Sequence, residues 1–239
     1  MTPAVKALLI ANTAMFVLMT IIGFASTDAV RPIWFHLALN PRSVVEDWEL
    51  WQLATYMFLH AGIFHLLFNM LALWMFGVEL EQLWGTRFFT RYYFVTGVGA
   101  GVLMLALSFV PNLGDRVYDA ATVGASGALF GLMLAYGLLF PHRRIYMYFL
   151  FAVPARYFVM IAGAISLYAT VVDQGGGVAH TAHLGGLVVG YAYLRMGRPN
   201  FHPVAELKYR YLRWKINRLR KRFDVYSGGR ANDVDRRLH

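Results

Sequence analysis

Ser126 stands in Gly124-Ala125-Ser126-Gly127, and a long apolar run follows it. A serine hydroxyl is a weak nucleophile until a neighbouring base takes its proton. Neutral imidazole, with a reference pKa of about 6.5, suits that task, and the segment at 178–183, Val-Ala-His-Thr-Ala-His, offers His183. Acyl transfer also requires donors aimed at the oxyanion as it develops. The candidates are the backbone N–H of Ser126, the His65 ring and the Asn69 amide, the last two within Phe-Leu-His-Ala-Gly-Ile-Phe-His-Leu-Leu-Phe-Asn at 58–69. No Asp or Glu lies in the runs around Ser126 or His183, so a base there works in a dyad. Phe130, four residues after Ser126 and on its face, is placed to stack on the imidazole. The competing reading is structural: glycines let helices pack closely, and Asn and His often bridge them. That reading suffices for one polar residue alone. It is weaker for His65 and Asn69 on one helix face, with His60 at the helix start, in a chain that also carries Ser126 and His183.

The elements that must position these groups follow from composition. The chain has 239 residues, 58% hydrophobic and 15% charged, with a mean hydropathy of +0.48. Soluble domains carry about 25% charged residues, so the reading is a polytopic, all-α membrane protein. Six spans are expected, at roughly 5–25, 60–83, 90–110, 124–140, 154–172 and 178–196. The first is read as a retained helix, not a cleaved signal. The fifth is started at Pro154, because proline fits a helix's first turn, which makes the preceding segment interfacial. With no cysteine, disulfides, a thiol nucleophile and thiolate metal sites are excluded. Basic residues mark alternate loops, with Arg87 and Arg91 after span two, Arg143 and Arg144 after span four, and a basic tail after span six. By the positive-inside rule both termini are cytoplasmic and Ser126 lies toward the outer face. Residues 27–59 then form a long outer loop. Gly124, Gly127, Gly131 and Ala135 give span four a small face, matched by Gly186 and Gly190 beside His183, so these spans can approach until Ser126 and His183 bond. Gly77, Glu81 and Gly85 form a stripe at the other end of span two. It is read as structural, its carboxylate capping or bracing a neighbour's backbone.

These residues together resemble the rhomboid intramembrane serine proteases. The match runs from Trp51 to Gly190 and rests on the Gly-x-Ser-Gly at 124–127, His-Leu-Leu-Phe-Asn at 65–69, Gly77-x3-Glu81-x3-Gly85, and Ala-His-Leu-Gly-Gly-Leu-Val-Val-Gly at 182–190. A Gly-x-Ser-Gly alone is a weak signal, since soluble hydrolases place a similar pattern on a strand-to-helix turn; here no strand is expected before it. The resemblance implies a six-transmembrane-helix rhomboid bundle in which Ser126 is the nucleophile and His183 the general base. It makes His65, Asn69 and the Ser126 N–H the oxyanion hole, and gives Phe130 the place of the aromatic that packs on the histidine. His60, Gly124 and Gly127 support the site. It further implies cleavage of transmembrane helices near the outer face, next to a small residue, in a helix that unwinds easily. Substrate would enter from lipid past span five, with the glycines at 175–177 freeing the adjoining loop. No cofactor or metal is required. One departure is Trp51-Gln52, where the family commonly has Trp-Arg, so an arginine's bonds to loop backbone are expected to be missing.

The net charge of +9 sits mostly in residues 198–239, which hold twelve Lys/Arg against four Asp/Glu. The chain therefore divides into a membrane domain, 1–197, and a basic cytoplasmic tail, 198–239. Residues 206–222 can be written as an amphipathic helix on anionic lipid. Nucleic-acid binding, the rival for any basic run, fits less well beside a membrane and with Trp, Leu and Tyr interleaved. Localisation is expected in a bacterial-type cytoplasmic membrane. Two other functions compete with proteolysis: an inactive rhomboid-like protein that binds membrane clients, and a zinc-dependent membrane hydrolase using His60, His65, His180 and His183. The second lacks a His-Glu-x-x-His motif.

Overall fold

The computed structural model describes residues 1–111, 117–147, 151–172, 177–196 and 215–216. It is mostly helical: α1 (Pro3–Ala25), α2 (Thr27–Leu37), α3 (Pro41–Glu46), α4 (Gln52–Thr55) with a 3₁₀ turn (Tyr56–Phe58), α5 (Ile63–Trp84), α6 (Thr86–Leu107), α7 (Ser126–Leu139), a hairpin of β1 (Arg144–Met147) and β2 (Phe151–Pro154), α8 (Ala155–Val172) and α9 (Gly177–Met196). Helices overlap each of the six expected apolar runs. Among the described residues α1, α5 and α6 are long and apolar enough to cross a membrane, and Ser126–Leu139 and Ala155–Thr170 are shorter apolar helices. The chain divides into two units, Met1–Leu194 and Arg195–His239. The tail helix expected at 206–222 lies outside the described residues apart from Lys215 and Ile216, which are helical. Gly175 and Gly176 also lie outside them.

Four sequence expectations change. The chain is not wholly helical: β1 and β2 pair antiparallel, with Arg144 opposite Pro154. Pro154 ends a strand instead of opening a helix, and α8 begins one residue later. Its first N–H, from Ala155, donates to the Arg143 carbonyl at 2.8 Å. The second span begins at Ile63, so His60 stands in the turn before it. The stretch 27–59 is largely helical, and it is pinned in place.

That pinning runs through Gln52, which is fully buried. Its Oε1 accepts the Asn40 N–H at 2.8 Å, and its Nε2 donates to the Phe35 carbonyl and to Glu49. Gln52 thus makes loop-backbone bonds of its own, one of them as an acceptor, which an arginine could not do. Trp51 Nε1 donates to the His36 carbonyl at 2.8 Å and Thr55 Oγ1 to the Leu37 carbonyl at 2.7 Å. The same segment is stitched to the residues before α7. Leu39 and Thr122 exchange backbone bonds, the Arg42 N–H donates to the Tyr118 carbonyl, and the Gly124 N–H donates to the Tyr56 carbonyl at 2.9 Å. The Arg42 guanidinium donates to Asp119 and holds that carboxyl below its ordinary range.

At the other end of the bundle Glu81, buried, accepts the Ala4 N–H and Val5 N–H, both at 2.9 Å, and the Thr86 hydroxyl at 2.7 Å. The first turn of α1 has N–H groups without intrahelical partners, and a carboxylate there also meets the positive end of the helix dipole. Gly77, one turn earlier on α5, lets Val5 close in: a Cβ there would lie 2.9 Å from Val5 Cγ2. Gly85, at φ +77°, breaks the chain between α5 and α6 in a conformation that suits glycine. Glu79 joins this end to the hairpin, taking Arg143 Nη2 at 2.9 Å and the Tyr136 hydroxyl at 3.1 Å.

The tightest packing is between α9, α7 and α6. A Cβ on Gly186 would collide with the Gly127 carbonyl. One on Gly190 would lie 2.6 Å from the Tyr92 hydroxyl and 3.1 Å from Gly131 Cα, and one on Gly185 would lie 2.9 Å from Ala100 Cα. These helices meet backbone to backbone.

Two outcomes follow for purified protein in detergent. Glu81→Ala strands two helix N–H groups and costs about 2–3 kcal/mol, a fall in thermal midpoint of roughly 5–10 °C at this chain length; an unchanged midpoint removes the carboxylate as a brace. Gly186→Ala must separate α9 from α7 and lowers the midpoint, whereas Gly62→Ala, which meets nothing within 4 Å, leaves it within a degree or two. Equal midpoints for the two alanine variants would contradict the backbone contact.

Candidate active site

α7 starts at Ser126 itself. Its first N–H groups, including that of Ser126, have no intrahelical acceptor. The turn that delivers the serine depends on Gly124, which has φ +118° and whose absent Cβ would lie 2.8 Å from His65 Cε1 and Nε2. Both the conformation and the space exclude a larger residue. Tyr56 fixes this turn twice: its carbonyl takes the Gly124 N–H, and its hydroxyl donates to the Gly97 carbonyl at 2.8 Å and lies 3.1 Å from where a Cβ of Gly127 would be. Tyr56 was not singled out from sequence; its position beside Trp51-Gln52 was the available signal.

Ser126 Oγ lies 2.8 Å from His183 Nε2. The imidazole is held by its neighbours. Phe130 stacks on it with centroids 4.2 Å apart and planes 7° from parallel. His180 meets it edge to face at 5.3 Å. Ser166, on α8, places Oγ 3.5 Å from His183 Nδ1. Sequence reasoning left open what orients this ring besides Phe130 and did not select Ser166. The signal was a hydroxyl in the apolar run 154–172 with Thr170 one turn on, whose own hydroxyl bonds the Ser166 carbonyl at 2.8 Å.

His65 and Asn69 lie on one face of α5. The Ala61 N–H donates to His65 Nδ1 at 3.3 Å, so a neutral ring carries its proton on Nε2. That is the nitrogen turned toward Gly124. Asn69 is buried, and its Nδ2 donates to the His65 carbonyl at 2.8 Å; a carboxamide nitrogen has a second N–H to offer. Its Oδ1 is buried without a hydrogen-bond partner among the described residues. His60 is buried and packs edge to face on His65, centroids 5.1 Å apart. Ser126, His183, Phe130, His65, Gly124 and Gly127 therefore meet at one end of the bundle. Glu81 is 16 residues from His65 along α5, about 24 Å at 1.5 Å per residue. With Gly77 and Gly85 it belongs to the bracing of α1. Gly186 and Gly190 carry the contact that brings His183 to α7. Among the described residues no group of three or more His, Asp or Glu is arranged to hold a metal ion.

The family model of the Rhomboid domain matches residues 47–200. Similar proteins include Rhomboid protein 1, mitochondrial, of Saccharomyces cerevisiae, 34% identical over 137 residues, covering 57% of this chain and 38% of that one. RHOMBOID-like protein 1 of Arabidopsis thaliana is 35% identical, covering 69% of this chain and 39% of that one. Rhomboid protease GluP of Bacillus subtilis is 31% identical over 191 residues, covering 77% of this chain and 33% of that one. The chain spans less than half the length of these relatives. The relatives include mitochondrial proteins, so the expected bacterial-type membrane does not follow from them. With a family model covering well over half of its length and three helices long and apolar enough to cross a membrane, the chain is an integral membrane protein that belongs to the rhomboid family.

Proposed function

We propose that this chain is an intramembrane serine endopeptidase that cleaves transmembrane segments of other membrane proteins with a Ser126–His183 dyad. The observation that carries the reading is the 2.8 Å approach of Ser126 Oγ to His183 Nε2 at the start of a helix whose first N–H groups lack intrahelical acceptors. His183 Nε2 takes the hydroxyl proton as Oγ attacks the scissile carbonyl. The oxyanion receives the Ser126 N–H, His65 Nε2–H and the second N–H of Asn69. The imidazolium returns the proton to the departing amine, and water then hydrolyses the acyl-serine by the same exchange in reverse.

In this reading the six apolar helices form the rhomboid bundle, both termini lie on the side rich in basic loops, and Ser126 lies near the opposite face. Substrate helices come from lipid past α8, whose exposed Ile161, Ile165, Leu167 and Tyr168 suit that medium. Residues 206–222 as a helix on anionic lipid form part of the proposal and rest on sequence alone. The inactive client-binding alternative is disfavoured because Ser126 and His183 are both present and within hydrogen-bond distance. The zinc alternative is disfavoured because His60, His65, His180 and His183 do not form a metal-holding group.

Ser126→Ala and His183→Ala are each expected to abolish cleavage of a helical substrate in folded protein, with the double variant no worse than either single, because the pair acts as a unit. A fluorophosphonate labels the wild type and not Ser126→Ala. Cleavage persisting in Ser126→Ala, or an unlabelled but folded wild type, rejects the protease reading. Asn69→Ala is expected to slow turnover by at most the 10²- to 10³-fold typical of one lost oxyanion donor; turnover at the wild-type rate would remove Asn69 from the oxyanion hole.

A further inference from the structure

Among the described residues no carboxylate holds the histidine, yet a base that takes a proton on Nε2 must carry its own proton on Nδ1. Something must receive that Nδ1–H. Ser166 Oγ, 3.5 Å away, is the hydroxyl that faces it, and Ser166 is 2% exposed. The distance is at the outer limit of a hydrogen bond, and such contacts in unliganded enzymes often tighten when substrate binds. The other titratable groups that face His183 are histidines: His180 on its own helix and His65 from α5. Phe130 covers a ring face and accepts nothing from Nδ1.

We infer that Ser166 is a positioning residue for His183, accepting its Nδ1–H and so selecting the tautomer whose Nε2 can deprotonate Ser126. The inference rests on the dyad proposed above and adds a third member to it. No proton leaves Nδ1 in the cycle: Nε2 gains one from Ser126 and gives it to the leaving amine, while Nδ1–H stays bonded to Oγ. Without the hydroxyl, neutral His183 shifts toward the Nε2–H tautomer, which has no lone pair for the serine proton. The imidazolium loses a bond as well and becomes less stable against that tautomer. Because α8 carries Ser166, the orientation of the base is tied to the seating of that helix.

The test measures cleavage of a transmembrane substrate by Ser166→Ala, Ser166→Thr, Ser126→Ala and wild type across pH in one detergent, with folding checked by thermal midpoint. Ser166→Ala is expected to lose roughly tenfold in kcat, the size of one net hydrogen bond, with KM little changed and the acidic limb of the profile moved to lower pH. Ser166→Thr keeps a hydroxyl and is expected to restore both rate and limb. A Ser166→Ala profile identical to wild type overturns the proposal. So does a fall in rate with the limb unmoved, which assigns Ser166 to packing. Cleavage by Ser126→Ala instead rejects the dyad, whatever the Ser166 variants do, and takes this inference with it.

Discussion

The contact of α9 with α7 at Gly186 and Gly127 governs the rest of the site. Helices with ordinary side chains at a crossing stand 8–10 Å apart, and a serine and a histidine on opposite helices would then meet only by chance of rotamer. Here the Gly186 position lies against the Gly127 carbonyl and Gly190 against Gly131 Cα. One turn along, His183 and Ser126 come within a hydrogen bond. In lipid no hydrophobic effect drives helices together, so close van der Waals contact between small residues must do so. The geometry that seats the proposed base is therefore also the geometry that stabilises the bundle.

The two ends of the bundle solve the same problem, unpaired backbone polar groups, in different ways. At the Glu81 end one carboxylate takes two N–H groups of α1 and a hydroxyl of α6, joining three helices through a charge that is itself satisfied. At the Ser126 end Gln52 ties the segment 27–58 to itself, while Leu39, Arg42 and Tyr56 tie it to the residues before α7. The first N–H groups of α7 are left over by this arrangement, and the proposed chemistry uses them.

Much of this was legible in the chain. Polar residues are costly at membrane depth, so Ser126, His183, His65 and Asn69 stand out against their runs, and glycines at intervals of three and four mark the faces that meet. The apolar runs themselves announce the helices within a few residues. Ser166 was harder to see, since serine is common at helix contacts in membranes and its meaning lies in which ring it faces. The missing arginine at 52 said nothing of what Gln52 does instead, because an amide both donates and accepts and its partners are set by how the loop folds.

The sequence by itself determined the medium, the apolar helical segments and the candidate groups for acyl-transfer chemistry, because hydropathy and helical periodicity are local properties. Only the tertiary structure decided the rest: that Pro154 ends a hairpin, that His60 lies outside its helix against His65, that His65 turns Nε2 toward Gly124, and that a serine from α8 faces the far side of His183. Each of these depends on distances between residues far apart in the chain. Such distances are set by how several helices pack at once, and no single segment encodes them.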